Sequence, residues 1–296
     1  MMRWWRERGW SLCSADEYRE IWQRYGGSVA TNPDVVERLS DFSGIGVRYL
    51  CQHDGSGVPI AGVATWGGYL ALSRKVLKQQ GKRDLFDMGN AEVILPIAPD
   101  ATVTLRHKAE YLSAINEQQI RGLKSLPQGL AMARSPDEYS KKFRYNQRRE
   151  WRLLEEAGGQ IVSMQALTAA EQADIYRRLF ELRWNMPTPA GAHLETVFSL
   201  LKEFMTGSLI FLNGQPIAVQ VLFRAESPDW ISIEYINGGV DPQERAFSPG
   251  SVLSFINTQD AWADAHRLKK ELRYSFGRAD RPYKDRWCNG VSAYRV

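Results

Sequence analysis

Leu209-Ile210-Phe211-Leu212-Asn213-Gly214-Gln215-Pro216-Ile217-Ala218-Val219 is two apolar runs joined through an Asn-Gly pair. Asn-Gly accepts the positive φ values of a tight hairpin turn, so the stretch predicts two antiparallel strands. Upstream, Thr168-Ala169-Ala170-Glu171 has the form of a capping box, and the helix it opens carries Tyr176-Arg177, Leu179-Phe180 and Trp184. The same order occurs near the start of the chain. Ser14-Ala15-Asp16-Glu17 opens a helix bearing Tyr18-Arg19, Ile21-Trp22 and Tyr25, which stops at Gly26-Gly27. After it come Val47–Cys51, a turn at Asp54-Gly55-Ser56-Gly57, and Pro59-Ile60-Ala61-Gly62-Val63. Tyr18 to Tyr176 is 158 positions and Pro59 to Pro216 is 157. One spacing shared by helix, strand, turn and strand predicts a duplicated α/β unit. Chance recurrence is the alternative, because capping boxes and turn-proline hairpins are common.

Working outward, Ser135 as N-cap, Pro136 at N1, Asp137 and Glu138 at the positive end, and Gly158-Gly159 as a stop predict one helix over 136–158. It divides the chain into a domain of residues 1–135 and a second of residues 136–296. Within the second, residues 230–236 alternate, with Ile231, Ile233 and Tyr235 on one face and Ser232, Glu234 and Ile236 on the other. Beyond lie the loop Ser248-Pro249-Gly250-Ser251, a helix from about Val252 to Ala265, and a strand Glu271–Phe276. Residues 277–287 are too charged for a core element. The fold class is α+β: two mixed sheets flanked by helices.

Composition narrows the function. The 296 residues are 44% hydrophobic and 24% charged, as in a globular protein. No apolar run approaches the roughly 18 residues of a membrane span, and the start has no apolar signal region, which makes the cytoplasm the expected location. Three separated cysteines and four scattered histidines form neither C-x-x-C nor H-E-x-x-H, so no metal is expected. There is no Walker loop and no G-x-S-x-G elbow. The net charge of +4 and pI of about 8.9 favour anionic partners. The surplus is concentrated: residues 138–152 hold six cations against two carboxylates, and residues 266–286 hold eight against three. Sequence-specific DNA binding is not expected, since the sequence shows no helix-turn-helix and the 138–152 helix is the sole recognition-helix candidate.

Candidate site residues follow from charge and placement. The loop Ser248–Ser251 leads onto a helix N-terminus, whose free amides and dipole suit an anion. Lys284, beside Tyr283 and in a stretch with Arg278, Arg281 and Arg286, is a compact positive charge for an oxyanion or phosphate, or else a surface charge beside packed aromatics. Glu234 is a general base if its face lines a cleft, or an edge-strand carboxylate if not. Trp4, Trp5 and Trp10, interleaved with Arg3, Arg6 and Arg8, have the chemistry of a peripheral membrane anchor.

The order KKFRYNQRREWRLLEEAGG (141–159), NGQPIA (213–218), ISIEYING (231–238), SPGS (248–251) and YSFGRADRPYKDRW (274–287) resembles the second half of the FemABX-like, tandem-GNAT acyltransferases. More narrowly, YSFGRADRPYKDRWCN (274–289) and the overall length resemble the Mig-fourteen (macrophage-inducible) family of bacterial antimicrobial-peptide resistance proteins. The resemblance implies a tandem GNAT-like fold and an acyl- or aminoacyltransferase acting on a cell-envelope precursor, lipopolysaccharide or cell wall. It implies no tightly bound cofactor, an anionic donor such as aminoacyl-tRNA or acyl-CoA, and a place peripheral to the inner membrane. By this resemblance Lys284, with Tyr283 as its aromatic neighbour, helps hold the reacting centre, and Ser248, Gly250 and Ser251 take the phosphate-loop position. Glu234 as base and Arg278 and Arg281 as donor contacts come from the residues' own chemistry and not from the resemblance. The loop lacks the Q/R-x-x-G-x-G/A pattern of single-domain GNATs, which argues against acetyl-CoA. The alternative is a non-catalytic binding or regulatory protein of the same resistance pathway.

Overall fold

The structure, a computed structural model, describes residues 5–296. The first copy of the repeat begins with β1 (Ser11–Cys13) and α1 (Ala15–Tyr25). The capping box is made as read: Glu17 N donates to the Ser14 hydroxyl at 3.1 Å, and Ser14 N donates to the Glu17 carboxylate at 2.7 Å. Then follow α2 (Pro33–Ser43), β2 (Arg48–His53), β3 (Pro59–Trp66), the two-residue β4 (Tyr69–Leu70) and the six-residue α3 (Arg74–Gln79). The strands form an antiparallel sheet in the order β1-β2-β3-β4. Two short strands follow, β5 (Leu112–Ser113) and β6 (Lys124–Ser125).

The rest comprises β7 (Leu130–Ala133), α4 (Lys141–Glu156), β8 (Gly159–Ser163), α5 (Ala169–Trp184), α6 (Leu194–Leu200), β9 (Met205–Thr206), β10 (Ser208–Leu212), β11 (Gln215–Glu226), β12 (Trp230–Val240), α7 (Pro249–Leu268), β13 (Glu271–Arg278), β14 (Cys288–Val291) and β15 (Ala293–Arg295). One sheet runs β14-β7-β13-β12-β11-β10-β8, with β9 beside β11. Thr168 and Glu171 form the second capping box at the start of α5. Helix, strand, turn and strand thus recur as α1-β2-β3 and α5-β10-β11. The copies then diverge: the first goes on to the short β4 and α3, the second to the 11-residue β12 and 20-residue α7.

Two readings are refined. The helix expected over 136–158 begins later, because Ser135 precedes only a 3-10 turn, Pro136–Glu138, and Tyr139 is extended (φ −81, ψ 137). Tyr139 is buried, stacks on Phe143 and donates its hydroxyl to Trp287 O at 2.7 Å, which draws the chain out of the helix. Ser140 caps the new start, accepting from Phe143 N. Strand pairing also crosses residue 135. β7, on its N-terminal side, lies between β13 and β14, whereas the C-terminal β15 pairs with β5 and β6.

The two halves share a core in which Tyr18, Trp22, Val35 and Leu39 pack with Tyr176, Leu179, Phe180 and Phe198. This explains why the Ser232/Glu234 face of β12, polar in sequence, is buried. The first half covers it, with Val29 N donating to the Ser232 hydroxyl at 3.2 Å and the Trp230 indole donating to Gly27 O at 2.9 Å. On the same strand α5 crosses at Gly239, where a Cβ would run into the Leu179–Phe180 backbone, so only glycine fits.

Candidate active site

β12 and β13 are the parallel neighbours of the large sheet, paired from Trp230↔Glu271 to Glu234↔Ser275 and not beyond. Each strand turns away at that point. Leu222 opposes Tyr235 and Val221 opposes Asn237, so Ile236 is an extra, bulged residue in β12. β13 shifts register against β7 between Ser275 and Arg278, with Gly277 at φ +72. The strands part into a wedge at their C-terminal ends, with the Tyr235 and Phe276 ring centroids 5.1 Å apart. A cleft outside the carboxyl ends of parallel strands is where open α/β sheets bind ligands.

The N-terminus of α7 enters this wedge. Ser248 sits in the left-handed region (φ +48) and makes no side-chain cap, and Pro249 at N1 has no N–H to offer. Ser251 N and Val252 N both turn back to Ser248 O, at 2.8 and 3.0 Å, leaving the Gly250 N–H without a partner among the described residues. Behind them a buried polar chain fixes α7 on the sheet. Gln220 donates to the Ser254 hydroxyl at 2.8 Å, and Asn257 donates to Gln220 at 2.8 Å while accepting from Ser208 N.

The resulting cavity has a volume of about 380 Å³ and is lined by Arg183, Arg245 and Arg286 with no aspartate or glutamate. Each guanidinium is held without an ion pair among the described residues. Arg183 donates to Gly238 O and lies over the Trp184 ring, Arg245 donates to Pro242 O, and Arg286 lies over Phe143. Three uncompensated cations beside a free helix-terminal amide make a site for an anion. Two tyrosines also face it. Burial pushes the Tyr235 hydroxyl above its usual pKa, opposed by the charge and hydrogen bond of Arg183. Burial likewise raises Tyr283. Both stay protonated at neutral pH and can give a proton to a leaving group.

Of the residues singled out in the sequence, Ser248, Gly250, Ser251 and Tyr283 line this cavity, and Lys284, Arg278, Arg281 and Glu234 do not. The Lys284 ammonium donates to Arg278 O at 2.6 Å and to Asp280 at 3.2 Å, with its side chain 10% exposed. Arg278 grips the same carboxylate at 2.7 and 3.0 Å. Burial alone would raise Asp280, but hydrogen bonds from Arg278 and Lys284 hold it below the usual carboxylate range. The three brace the turn that presents Tyr283 and Arg286. Glu234 is on the opposite side of β12, buried against the first half, where it accepts from Glu92 N at 3.0 Å. Arg183, Arg245 and Tyr235 were not singled out in the sequence as site residues. The bulge that turns Tyr235 into the cleft has no local marker in sequence.

The aromatic anchor is corrected in one position. Trp10 is 8% exposed and its indole donates to Thr104 O at 3.0 Å, so it is a core residue. Trp5 is exposed, with Arg106 over its ring, and Trp4 lies outside the described residues. Among the described residues no helix is long and apolar enough to cross a membrane.

A family model described as Mig-14 matches residues 32–296. The chain belongs to the Mig-14 family. Its fold is the α+β, FemX-like one, with sheets flanked by helices in both halves. A solved structure of FemX is 10% identical, covers 92% of this chain and 89% of its own, and superposes with a TM-score of 0.52. A tandem GNAT protein from the clavulanic acid biosynthesis pathway (10% identity, 97% and 96% covered) and L-PGS from Bacillus licheniformis (9%, 96% and 91%) each give a TM-score of 0.45. No curated protein matches the chain in sequence. The Mig-14 match gives the family, and the FemX superposition gives the fold.

Proposed function

We propose that the second half transfers an acyl or aminoacyl group from a phosphate-bearing donor to an amine. The observation that carries this reading is the carboxylate-free cavity at the parting of β12 and β13, with three unpaired guanidiniums and the free Gly250 amide. An amine attacks the ester or thioester carbonyl of the donor, a C–N bond forms, and the C–O or C–S bond breaks. The leaving oxygen or sulfur takes the Tyr235 or Tyr283 proton, the ammonium proton passes to solvent, and solvent reprotonates the tyrosinate, so no net proton is consumed. Ser248, Gly250 and Ser251 face the donor's phosphates. Lys284, through Asp280 and Arg278, positions the Pro282–Arg286 turn; a direct contact with the oxyanion would require its ammonium to leave both acceptors.

Family membership and the resemblance above support an amine of a cell-envelope precursor, lipopolysaccharide or cell wall, as acceptor. Altered envelope charge or packing is then the contribution to resistance against cationic peptides. Aminoacyl-tRNA and acyl-CoA both supply the anionic donor this cavity suits, and exposed Trp5 supports a peripheral membrane position. The test compares envelope precursors by mass in cells with the protein, without it, and with Arg183→Ala/Arg286→Ala. Loss of a mass adduct in both deficient strains is expected, with the variant's melting temperature unchanged. An adduct that persists in the variant overturns the reading. Donor binding without any adduct in the wild type selects the non-catalytic alternative.

A further inference from the structure

A second cavity, of about 470 Å³, lies against the sheet of the first half and is closed on one side by β15. Its walls are mixed, with Val36, Leu70, Leu72, Met88, Val93 and Leu95 forming the apolar part and Thr31, Ser73 and Asn90 among the polar lining. The volume is that of a small-molecule site, and the lining is what such sites use.

The rim is different. Lys108, Lys124 and Arg295 are exposed and line the opening. Lys124 and Arg295 stand directly opposite each other across the antiparallel β6–β15 pair, an arrangement that like charges disfavour. Lys108 lies over the Tyr69 ring at 5.4 Å. Two other rim cations have partners, Arg74 with Asp87 at 3.6 Å and Lys75 with Glu110 at 2.6 Å. Lys108, Lys124 and Arg295 have no carboxylate partner among the described residues.

Backbone strain points to the same place. Leu72 (φ +62) and Tyr111 (φ +58) both line the cavity in the left-handed region, which bulky residues rarely adopt. Strain of this kind persists only where packing over-determines it, and it clusters at ligand sites. Ser248, at the cleft of the other half, is a third case.

We propose that this cavity binds an anionic amphiphile, with its acyl chain against the apolar part of the lining and its charged head among Lys108, Lys124 and Arg295. The apolar side chains of the lining favour an acyl chain over a free inorganic anion, and the opposed cations at the rim favour an anionic head over an uncharged or cationic one. Binding here is read directly and does not depend on the transfer chemistry, so Arg183→Ala/Arg286→Ala leaves it unchanged.

The test titrates the full chain with dodecyl phosphate below its micelle concentration, using calorimetry. Dodecanol, inorganic phosphate and lysophosphatidylglycerol are the comparison probes. One dodecyl phosphate per chain is expected, at least tenfold tighter than dodecanol, with no saturation by inorganic phosphate. Lys124→Glu/Arg295→Glu, at exposed positions, weakens dodecyl phosphate at least tenfold and leaves dodecanol unchanged. Ala91→Trp, projecting into the chamber, abolishes both. Comparable binding of lysophosphatidylglycerol supports the site and assigns a lipid source, whereas its exclusion supports a free amphiphile whose anionic head is small. Inorganic phosphate binding as tightly as dodecyl phosphate, or a charge-reversed variant that binds it normally, overturns the proposal.

Discussion

Glu92 and Glu234 are both buried and share one cation, Arg273, whose side chain is 14% exposed. Glu92 takes the ion pair and also accepts from the Ser113 hydroxyl at 2.6 Å. Glu234 is then left beside a like charge. Burial and the Glu92 carboxylate push it well above the usual range, against the opposing effects of Ser275, the Glu92 amide and Arg273. Burial and the neighbouring carboxylate both favour its neutral form, which acts as a hydrogen-bonding acid rather than a base. Glu234→Gln copies that neutral shape and is expected to change stability by less than about 1 kcal/mol. Glu92→Gln removes the buried partner of Arg273, leaving it only the exposed Glu271 at 3.4 Å, and should cost about 3 kcal/mol. Urea midpoints of the two variants decide it, and the reverse order would show that Glu234 carries the charge. Tyr235 belongs to the other face of the strand. If it donates the leaving-group proton, Tyr235→Phe lowers kcat about a hundredfold with KM little changed. A rise in KM alone would reduce it to a binding contact.

At the scale of elements, the start of α4 shows how a local signal can be overridden. Ser135-Pro136-Asp137-Glu138 is a sound helix start by composition, yet the chain leaves helical geometry at Tyr139 to bury that ring against Trp287. Ser140 holds the working cap, so Ser140→Ala should cost about 1 kcal/mol. Ser135→Ala keeps the backbone donor to Glu138 and should cost well under half as much. Equal losses in thermal denaturation would return the cap to Ser135. The capping boxes at Ser14 and Thr168, the Asn-Gly hairpin and the α7 loop were legible because neighbours in sequence make them. β7 and β15 were not, being strands of four and three residues whose partners lie far along the chain. The candidate cleft was half legible for the same reason. Ser248, Gly250 and Ser251 announce a helix terminus, whereas Arg183 arrives from α5 and Lys284 is turned inward by a carboxylate four positions earlier.

At the scale of the whole molecule, the exchanged strands and common core tie the two halves together, so loss of structure in one propagates to the other. His107 offers a way to measure that coupling. It is fully buried in the first half, and neither ring nitrogen has a partner among the described residues. Burial and the nearby Arg6 and Arg48 charges outweigh Glu7 and lower its pKa from 6.5 to about 4. Between those values the unfolded chain binds a proton that the folded chain refuses, so stability falls as pH drops through this window and levels off below it. The loss attributable to this residue is on the order of 3 kcal/mol across the window. His107→Phe removes the titration and an unsatisfied buried group together, and should flatten the stability profile between pH 6.5 and 4 relative to wild type. If the halves are coupled, β12 amides in the second half gain hydrogen-exchange protection at pH 5 in the variant, although they lie in the other sheet. Protection gained only around residue 107 would mean that the first half opens alone, and that the donor cleft is indifferent to it.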